Sequence, residues 1–174
     1  MSKGKKISRE RAKVINAALL EEFNIKGLEF ITGGSIRRKK PLVGDIDIAV
    51  KCSSEYTRKR FNTRLGELFG FCSTKPERAK RFGAYQGVQI NFFDVLRDQI
   101  GAALLFCTGS GGFNMRMRCQ AKRRGLLLNQ YGLWNRKYRD EEICDASQEE
   151  NIFKALKIDF ISPPNREDGA IGWA

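Results

Sequence analysis

The sequence contains no histidine, which removes Ser-His-Asp triads and imidazole-containing zinc sites from the candidate chemistries. Carboxylates are left as the ligands available for a hard cation such as Mg²⁺. The five cysteines are scattered along the chain and never spaced as CxxC. This spacing predicts neither a zinc ribbon nor a disulfide framework, and it fits a reducing compartment.

Long apolar runs are also missing from the sequence. No stretch approaches the roughly 18 apolar residues that a membrane span requires. The N-terminal segment MSKGKKISRE lacks the apolar core of a signal peptide. We therefore expect a soluble protein inside the cell, in the cytoplasm or wherever its substrate resides, with no membrane partner.

Positive charge is present in excess, with 32 Lys and Arg residues against 20 Asp and Glu residues and a formal net charge of +12. Such a balance favours polyanionic partners, because binding them releases condensed counterions. Nucleic acid is the first expectation and an anionic membrane the second. The 174 residues, 41% of them hydrophobic, can form one compact unit with one or two lobes.

Periodicity in the first ninety-odd residues predicts two helices, at 8–23 and 54–69, with Ser8 as a candidate N-cap. Alternation and β-branched or aromatic residues predict strands at 28–32, in DIDIAV, and at 71–74, 81–85 and 88–96. Gly87 lies where a hairpin turn is needed between the last two strands. The pattern indicates a sheet with helices, α+β in type.

The second half has a different pattern, which predicts a smaller α+β unit. A helix at 100–106 is followed by the turn CTGSGG and a basic helix at 113–124. Short strands are predicted within LLLNQYGLW and near Ile143, and Ser147 with Glu150 forms a capping-box pattern opening a final helix. We place the division between two domains at 1–105 and 106–174.

Asp45 and Asp47 are two residues apart in a predicted strand, so both side chains emerge on one face. Two neighbouring carboxylates repel, and they stay ionised only with a cation, a basic neighbour or full solvation. One cation could bridge them. A solvated strand end is the other interpretation, and it is the more common one for this pattern.

Asp94 lies inside the apolar run VQINFFDVL, where a solvent-facing carboxylate is unexpected. Strand alternation groups it with Val88, Ile90 and Phe92. It could instead cap a turn at the strand end, and Asp98 is a competing acidic position. We favour Asp94 as a third carboxylate because it is embedded in the strand.

The segment GGSIRR directly follows a predicted strand and offers backbone N–H groups, the Ser35 hydroxyl and the Arg38 guanidinium. These groups suit phosphate oxygens. A plain tight turn with an exposed basic helix is the alternative. The order of strand, GGS turn, helix and GDIDI favours phosphate binding, because a triphosphate at the turn would lie beside the carboxylates.

The segment GGSIRRKKPLVGDIDIAV resembles the palm signature of the family X DNA polymerases, the group of DNA polymerase beta. GAALLFCTGSGGFNMRMRCQAKRRG is similar to the TGS turn of that family and the Asn and Arg positions after it. LNQYGLW and EENIFKALKIDFISPPNRED resemble the end of its terminal subdomain. The resemblance covers roughly residues 28–168. It implies a nucleotidyltransferase palm, a mixed sheet with helices on one face, followed by a small α+β terminal subdomain, as in reduced viral members.

The resemblance also implies roles for individual residues. Two Mg²⁺ ions, with Mn²⁺ as a substitute, would be held by Asp45, Asp47 and Asp94. The implied nucleotide-binding residues are Gly34, Ser35, Arg38, Gly44, Phe106, Cys107, Gly109 and Asn114. The implied DNA-binding residues are Arg116, Arg118, Arg123, Arg124 and Tyr131. For the arginine cluster, a solvated basic helix is the alternative interpretation.

The sequence departs from the family pattern in three respects. Phe106 and Cys107 stand where many members carry a Tyr-Phe pair that excludes a ribose hydroxyl, and Gln130 stands where a Glu is usual. Fewer than thirty residues precede LEFIT, so we expect no lyase domain and no 5′-deoxyribose phosphate lyase activity. Lys3, Lys5 and Lys6 are instead candidates for holding DNA.

The sequence therefore predicts a monomeric template-directed DNA polymerase that adds deoxynucleotides to a primer 3′-hydroxyl by two-metal nucleotidyl transfer. Its expected partners are deoxynucleoside triphosphates and primer–template or gapped DNA. Short-gap repair is the expected setting, and a virion is a further candidate location. One alternative is a template-independent nucleotidyltransferase acting on RNA, DNA or a small acceptor. The other is a catalytically silent nucleic-acid-binding module, since the net charge alone would give affinity.

Overall fold

The structure, a computed structural model, describes residues 6–70 and 81–172. The predicted strand at 71–74 and the side chains of Lys3 and Lys5 lie outside this range. Within the described part of the chain, none of the helices has the length and apolar character needed to cross a bilayer.

The residues that the structure describes form six α-helices and eight strands. The helices are α1 (Arg9–Glu21), α2 (Gly34–Arg37), α3 (Glu55–Phe69), α4 (Ile100–Thr108), α5 (Gly111–Arg123) and α6 (Glu149–Ala155). The strands are β1 (Ile7–Ser8), β2 (Leu28–Thr32), β3 (Leu42–Val43), β4 (Asp45–Cys52), β5 (Arg81–Tyr85), β6 (Val88–Leu96), β7 (Leu126–Asn129) and β8 (Gly132–Asn135).

The central sheet has four strands in the order β2-β4-β6-β5. β4 pairs antiparallel with β2 and parallel with β6, and β5 pairs antiparallel with β6. The parallel pair requires a crossover, and α3 lies between β4 and β6 in the sequence. The predicted mixed sheet and α+β class are confirmed.

One face of the sheet is covered by α1 and α3. The alternation of β4 directs Ile46, Ile48 and Val50 into this core, where they are fully buried. Phe61 of α3 lies 5.6 Å from Phe92 of β6 between ring centroids. These contacts fix the register of β4 and β6, because a shift by one residue would turn the apolar side chains to the other face.

The opposite face of the sheet is covered by α4. Ala49, Phe93 and Val95 of the sheet form a core cluster with Ile100 and Ala103 of α4. The prediction placed helices on one face only, whereas here the second face is apolar at these positions and is shielded as well. The face that carries Asp45 and Asp47 is therefore the α4 face.

A second core is formed by α5, α6 and the β7–β8 hairpin, around buried side chains such as Phe113, Met117 and Phe153. Ala102 and Leu105 of α4 also belong to this core. α4 thus spans the position at 105–106 where we divided the chain, and the division stays a prediction.

The helix boundaries test the predicted caps. Ser8 is the N-cap of α1, as predicted, and accepts a hydrogen bond from the backbone N–H of Arg11 at 3.2 Å. The capping box at Ser147 is wrong, because α6 begins one residue later than that pattern requires, at Glu149. Ser147 instead donates its backbone N–H and its hydroxyl to Asp145, both at 2.8 Å.

The short strand predicted near Ile143 corresponds to a single β-bridge between Trp134 and Glu142.

Candidate functional site

Asp45 and Asp47 lie at the start of β4, on the face of the sheet that α4 covers further along. Both side chains are half-buried. Strand alternation puts them side by side, as the sequence predicts. A paired carboxylate arrangement of this kind needs a positive or hydrogen-bond-donating neighbour to offset the repulsion between the two charges.

That neighbour is Asn91 on the adjacent strand. The parallel register of β4 and β6 sets Asp47 opposite Asn91. The Asn91 side-chain amide donates to Asp45 Oδ2 at 2.9 Å and to Asp47 Oδ1 at 2.8 Å. Its carbonyl oxygen accepts from Gln89 Nε2 at 2.9 Å, and the residue is fully buried. Both hydrogens of the amide group therefore point at the carboxylate pair.

Asp94 does not join this pair, and the prediction that it completes a three-carboxylate site is wrong. Alternation along β6 places Asp94 with Ile90 and Phe92, on the face opposite to Asn91. Asp94 is fully buried there, and its Oδ2 accepts a hydrogen bond from Arg58 Nε of α3 at 3.0 Å. The carboxylate serves a buried ion pair.

The Asp94 charge also acts on a neighbouring thiol in the same core. Burial raises the pKa of Cys52 to about 12, and the negative charge of Asp94 adds to the effect. Cys52 is therefore a neutral thiol at physiological pH.

We expect Asp94→Asn to destabilise the protein without abolishing its activity. Loss of the ion pair should lower the free energy of unfolding by about 2 kcal/mol. This is less than the cost of breaking a fully buried pair, because the Arg58 side chain is 20% exposed. Urea unfolding measures the first effect. Any nucleotidyl transfer, normalised to folded protein, should stay within a few-fold of wild type. A loss of all turnover in a folded variant would restore Asp94 to the site.

The GGS turn packs directly against the carboxylate pair. The Gly33 N–H donates to the Asp47 carbonyl at 2.7 Å. Gly34 has a φ of +56°, and a Cβ at this position would overlap the Asp47 carboxylate. Only glycine allows this approach at low cost. Ser35 follows at the half-buried start of α2.

Arg38 and the turn between α4 and α5 lie on the other side of the GGS turn. Arg38 Nη1 donates to the Thr108 carbonyl, while its Nε is buried and has no hydrogen-bond partner. Gly109, with a φ of +65°, lies close to Arg38 Nη1. A guanidinium beside a glycine-lined turn is suited to a phosphate oxygen.

The remaining predicted nucleotide-binding residues are gathered at the same junction, with one at its edge. Cys107 is buried, and its Sγ lies so close to Gly33 that a side chain there would collide with it. Asn114 Nδ2 donates to the Phe106 carbonyl at 2.6 Å. Gly44 is exposed between β3 and β4, immediately before Asp45. The structure thus brings Phe106, Cys107, Gly109 and Asn114 to the end of α4 nearest the GGS turn.

Four of the predicted DNA-binding residues lie on α5 or at its C-cap, and Tyr131 lies between β7 and β8. Arg118, Arg123 and Arg124 are exposed, and Arg118 lines a small pocket together with Phe106 and Asn114. Arg116 Nη1 donates to the Ile171 carbonyl at 2.5 Å. Tyr131 packs against the core cluster under α4. The arginines form a positive face next to the predicted nucleotide position.

A buried ion-pair network that the sequence did not indicate joins this junction to α6. Glu149 is 4% exposed and is held by Arg37 through two hydrogen bonds of 2.9 and 2.7 Å. Arg166 donates to the same carboxylate at 2.6 Å. Arg37 also donates to Thr108 Oγ1 at 2.8 Å. The two arginines lower the pKa of Glu149 below its usual range, although burial alone raises it.

The donor set fits one divalent cation better than two. Mg²⁺ prefers oxygen ligands and is often bound by one or two carboxylates together with substrate phosphates. Asp45 and Asp47 offer such a pair. Among residues 6–70 and 81–172, no three His, Cys, Asp or Glu side chains come together as a metal site. The third position beside the pair is held by an amide that presents hydrogens, so the residues do not fit a two-ion site.

Residues 103–167 match the family described as DNA polymerase beta thumb. The chain is 26% identical to DNA polymerase lambda of Arabidopsis thaliana and 25% identical to that of Rattus norvegicus, over 83% and 81% of its length. It spans about a third of the length of these relatives, 33% and 29% respectively.

Solved structures of Leishmania infantum polymerase beta share the fold. A ternary primer–template complex and a ternary gap complex each superimpose with a TM-score of 0.77 at 20% identity. The match covers 94% of this chain and 77% and 71% of those chains. The mixed sheet with its paired carboxylates, followed by α4 and α5, is therefore a polymerase beta fold. The chain is similar to DNA polymerases of the lambda and beta types along most of its length, so the predicted resemblance is confirmed.

Proposed function

We propose that the chain is a template-directed DNA polymerase that adds a deoxynucleotide to a primer 3′-hydroxyl, with short-gap filling as its use. The observation that carries the proposal is the meeting of three features at one place. These are the Asp45–Asp47 pair, the GGS turn that touches it, and the junction of α4 and α5 with its Arg38 guanidinium. Relatives named DNA polymerase lambda support the same function.

Within this proposal, the triphosphate is held by the GGS turn and by Arg38. The Ser35 hydroxyl and the half-buried Arg38 guanidinium are donors for phosphate oxygens. Phe106 and Cys107 form the wall beside the sugar, and Asn114 faces the base. Because the chain carries these groups on a sheet and two helices, the nucleotide is bound in a fixed orientation, which is a large part of catalysis by positioning.

Asp45 and Asp47 would hold one divalent cation that arrives with the triphosphate. When bound, Mg²⁺ supplies the positive charge that offsets the charge of the phosphates and of the leaving pyrophosphate. The carboxylates orient the nucleotide through this position, and Arg38 adds a fixed positive charge at the phosphates. A two-ion mechanism is not part of the proposal, since Asn91 stands where further carboxylate oxygen would be needed.

The duplex is proposed to lie along the basic face of α5, where Arg118, Arg123 and Arg124 are exposed. Phosphate contacts of this kind position DNA without reading its sequence. A positive face beside the nucleotide position brings a primer end to the triphosphate. Affinity should fall steeply with salt, because each phosphate contact releases condensed counterions.

The deciding experiment is single-nucleotide extension on DNA with a one-nucleotide gap, using all four deoxynucleoside triphosphates and Mg²⁺, followed by product sequencing. We expect the complementary nucleotide to be inserted opposite each of the four templating bases. A substrate with an abasic templating position is the matched control. Equal extension on both substrates would indicate a template-independent nucleotidyltransferase. Binding of gapped DNA with no turnover in Mg²⁺ or Mn²⁺ would indicate a silent binding module.

A further inference from the structure

We infer that the Asn91 amide takes the place of a divalent cation between Asp45 and Asp47. The hydrogen bonds of this amide hold the two carboxylates together, and the pair then binds one ion instead of two. The inference deepens the proposed function and rests on it for the class of the cation. It concerns the two hydrogen bonds from Asn91 Nδ2, at 2.9 Å to Asp45 and 2.8 Å to Asp47.

The orientation of the amide is set by its own neighbours. Gln89 Nε2 donates to the Asn91 carbonyl oxygen at 2.9 Å, which leaves only the amide hydrogens to face the carboxylates. Turning the amide so that its oxygen faced the pair would break all three hydrogen bonds. Asn91 is also fully buried, so water cannot replace the hydrogen bonds that its own amide would lose.

Like a bound cation, the Asn91 amide offsets part of the negative charge of the two carboxylates. Hydrogen bonds to charged oxygens are stronger than neutral ones, and they reduce the repulsion between adjacent carboxylates. The pair is therefore stable without metal. A second ion at the Asn91 side of the pair would meet two amide hydrogens instead of an oxygen ligand, which is unfavourable for Mg²⁺.

The sheet position of Asn91 makes an aspartate there the natural alternative. Asp47 and Asn91 are register partners on adjacent parallel strands. The substitution Asn91→Asp keeps the shape of the side chain and would bring a third carboxylate to the pair. Three carboxylates at this distance require cations, since their mutual repulsion is otherwise uncompensated.

The test compares thermal unfolding of the full chain and its Asn91→Asp variant in EDTA and in millimolar Mg²⁺. Wild type should respond by less than about 2 °C. The variant should unfold several degrees lower in EDTA and gain about 5 °C or more in Mg²⁺, the shift that tight ion binding gives a chain of this length. Gln86→Glu, which adds the same charge at an exposed turn of the same hairpin, should show no Mg²⁺ response.

A second readout counts ions directly. Electron paramagnetic resonance of Mn²⁺ with a non-hydrolysable deoxynucleoside triphosphate should give one bound ion per chain for wild type and two for Asn91→Asp. Equal counts together with equal Mg²⁺ shifts would overturn the inference.

If the Asn91→Asp variant does not fold, Asn91→Ala provides a second test of the inference. This variant removes both hydrogen bonds to the pair, so its melting temperature should fall in EDTA and recover in Mg²⁺. Insensitivity of Asn91→Ala to Mg²⁺ would also overturn the inference. Primer extension measured in parallel tests the proposed function separately, since ion-dependent stability without any extension would count against the polymerase proposal alone.

Discussion

Asp47→Asn is expected to reduce primer extension by a factor on the order of 10³, more than the roughly 10–100-fold lost with groups that only orient a metal ligand. The substitution removes one of the two carboxylates available to the cation. It should not disturb the fold, because the amide has the same shape beside Gly34 and its oxygen can still accept from Asn91. Single-turnover extension on gapped DNA measures the effect.

Asp98→Asn is the matched control for this substitution. Asp98 is an exposed acidic residue two positions beyond the end of β6, and the same charge is lost without touching the pair. Its extension rate should equal that of wild type. DNA affinity should be unchanged or slightly higher in both variants. Extension by Asp47→Asn within ten-fold of wild type would show that Asp47 is not a ligand.

Glu149→Gln is expected to cause the largest loss of stability. It leaves the fully buried Arg166 and the half-buried Arg37 without their carboxylate. Breaking a buried pair of this kind costs about 3 kcal/mol, which corresponds to a fall of about 6–12 °C in melting temperature for a chain of this length. Glu150→Gln, an exposed neighbour, should change stability by no more than about 0.5 kcal/mol.

The loss of unfolding free energy in Glu149→Gln should depend on pH in a defined direction. The pKa of Glu149 is lowered in the folded protein, so the ion pairs stabilise the fold above the unfolded-state pKa of about 4.3. Their contribution disappears as the pH falls through the lowered value. The difference between wild type and Glu149→Gln should be complete above about pH 5 and shrink in more acidic buffer. Urea unfolding at neutral and acidic pH measures it, and a difference that grew on acidification would contradict the assignment.

The sequence predicted the face of β4 that carries Asp45 and Asp47, and it predicted the GGS turn beside it. Both are local features, fixed by a period of two and by consecutive glycines. The prediction of Asp94 as the third carboxylate was wrong, although the side-chain alternation along its strand was predicted correctly. The pattern grouped Asp94 with Ile90 and Phe92, and these side chains face the core beneath α1 and α3.

A signal for Asn91 was present in the same strand. Gln89 and Asn91 are the polar residues of opposite parity to that apolar set, and polar positions of adjacent strands meet on one face. Using it required knowing that β4 and β6 are neighbours in parallel register. The Arg37–Glu149 contact was beyond such reasoning, because 112 residues separate the partners and neither belongs to a periodic pattern that links them.

α4 imposes a constraint on how this protein can change. One side of the helix, with Ala103 and Cys107, fills the core against the sheet, and another side, with Ala102 and Leu105, fills the core of the second half. Inserting or deleting one residue in α4 would rotate everything after it by about 100° and misplace both sets at once. Cutting the chain at 105–106 would likewise strip each fragment of part of its interior. A change in the length of α4 therefore has to be compensated in both cores, and neither half can be exchanged or expressed separately without replacing the side chains that α4 contributes to it.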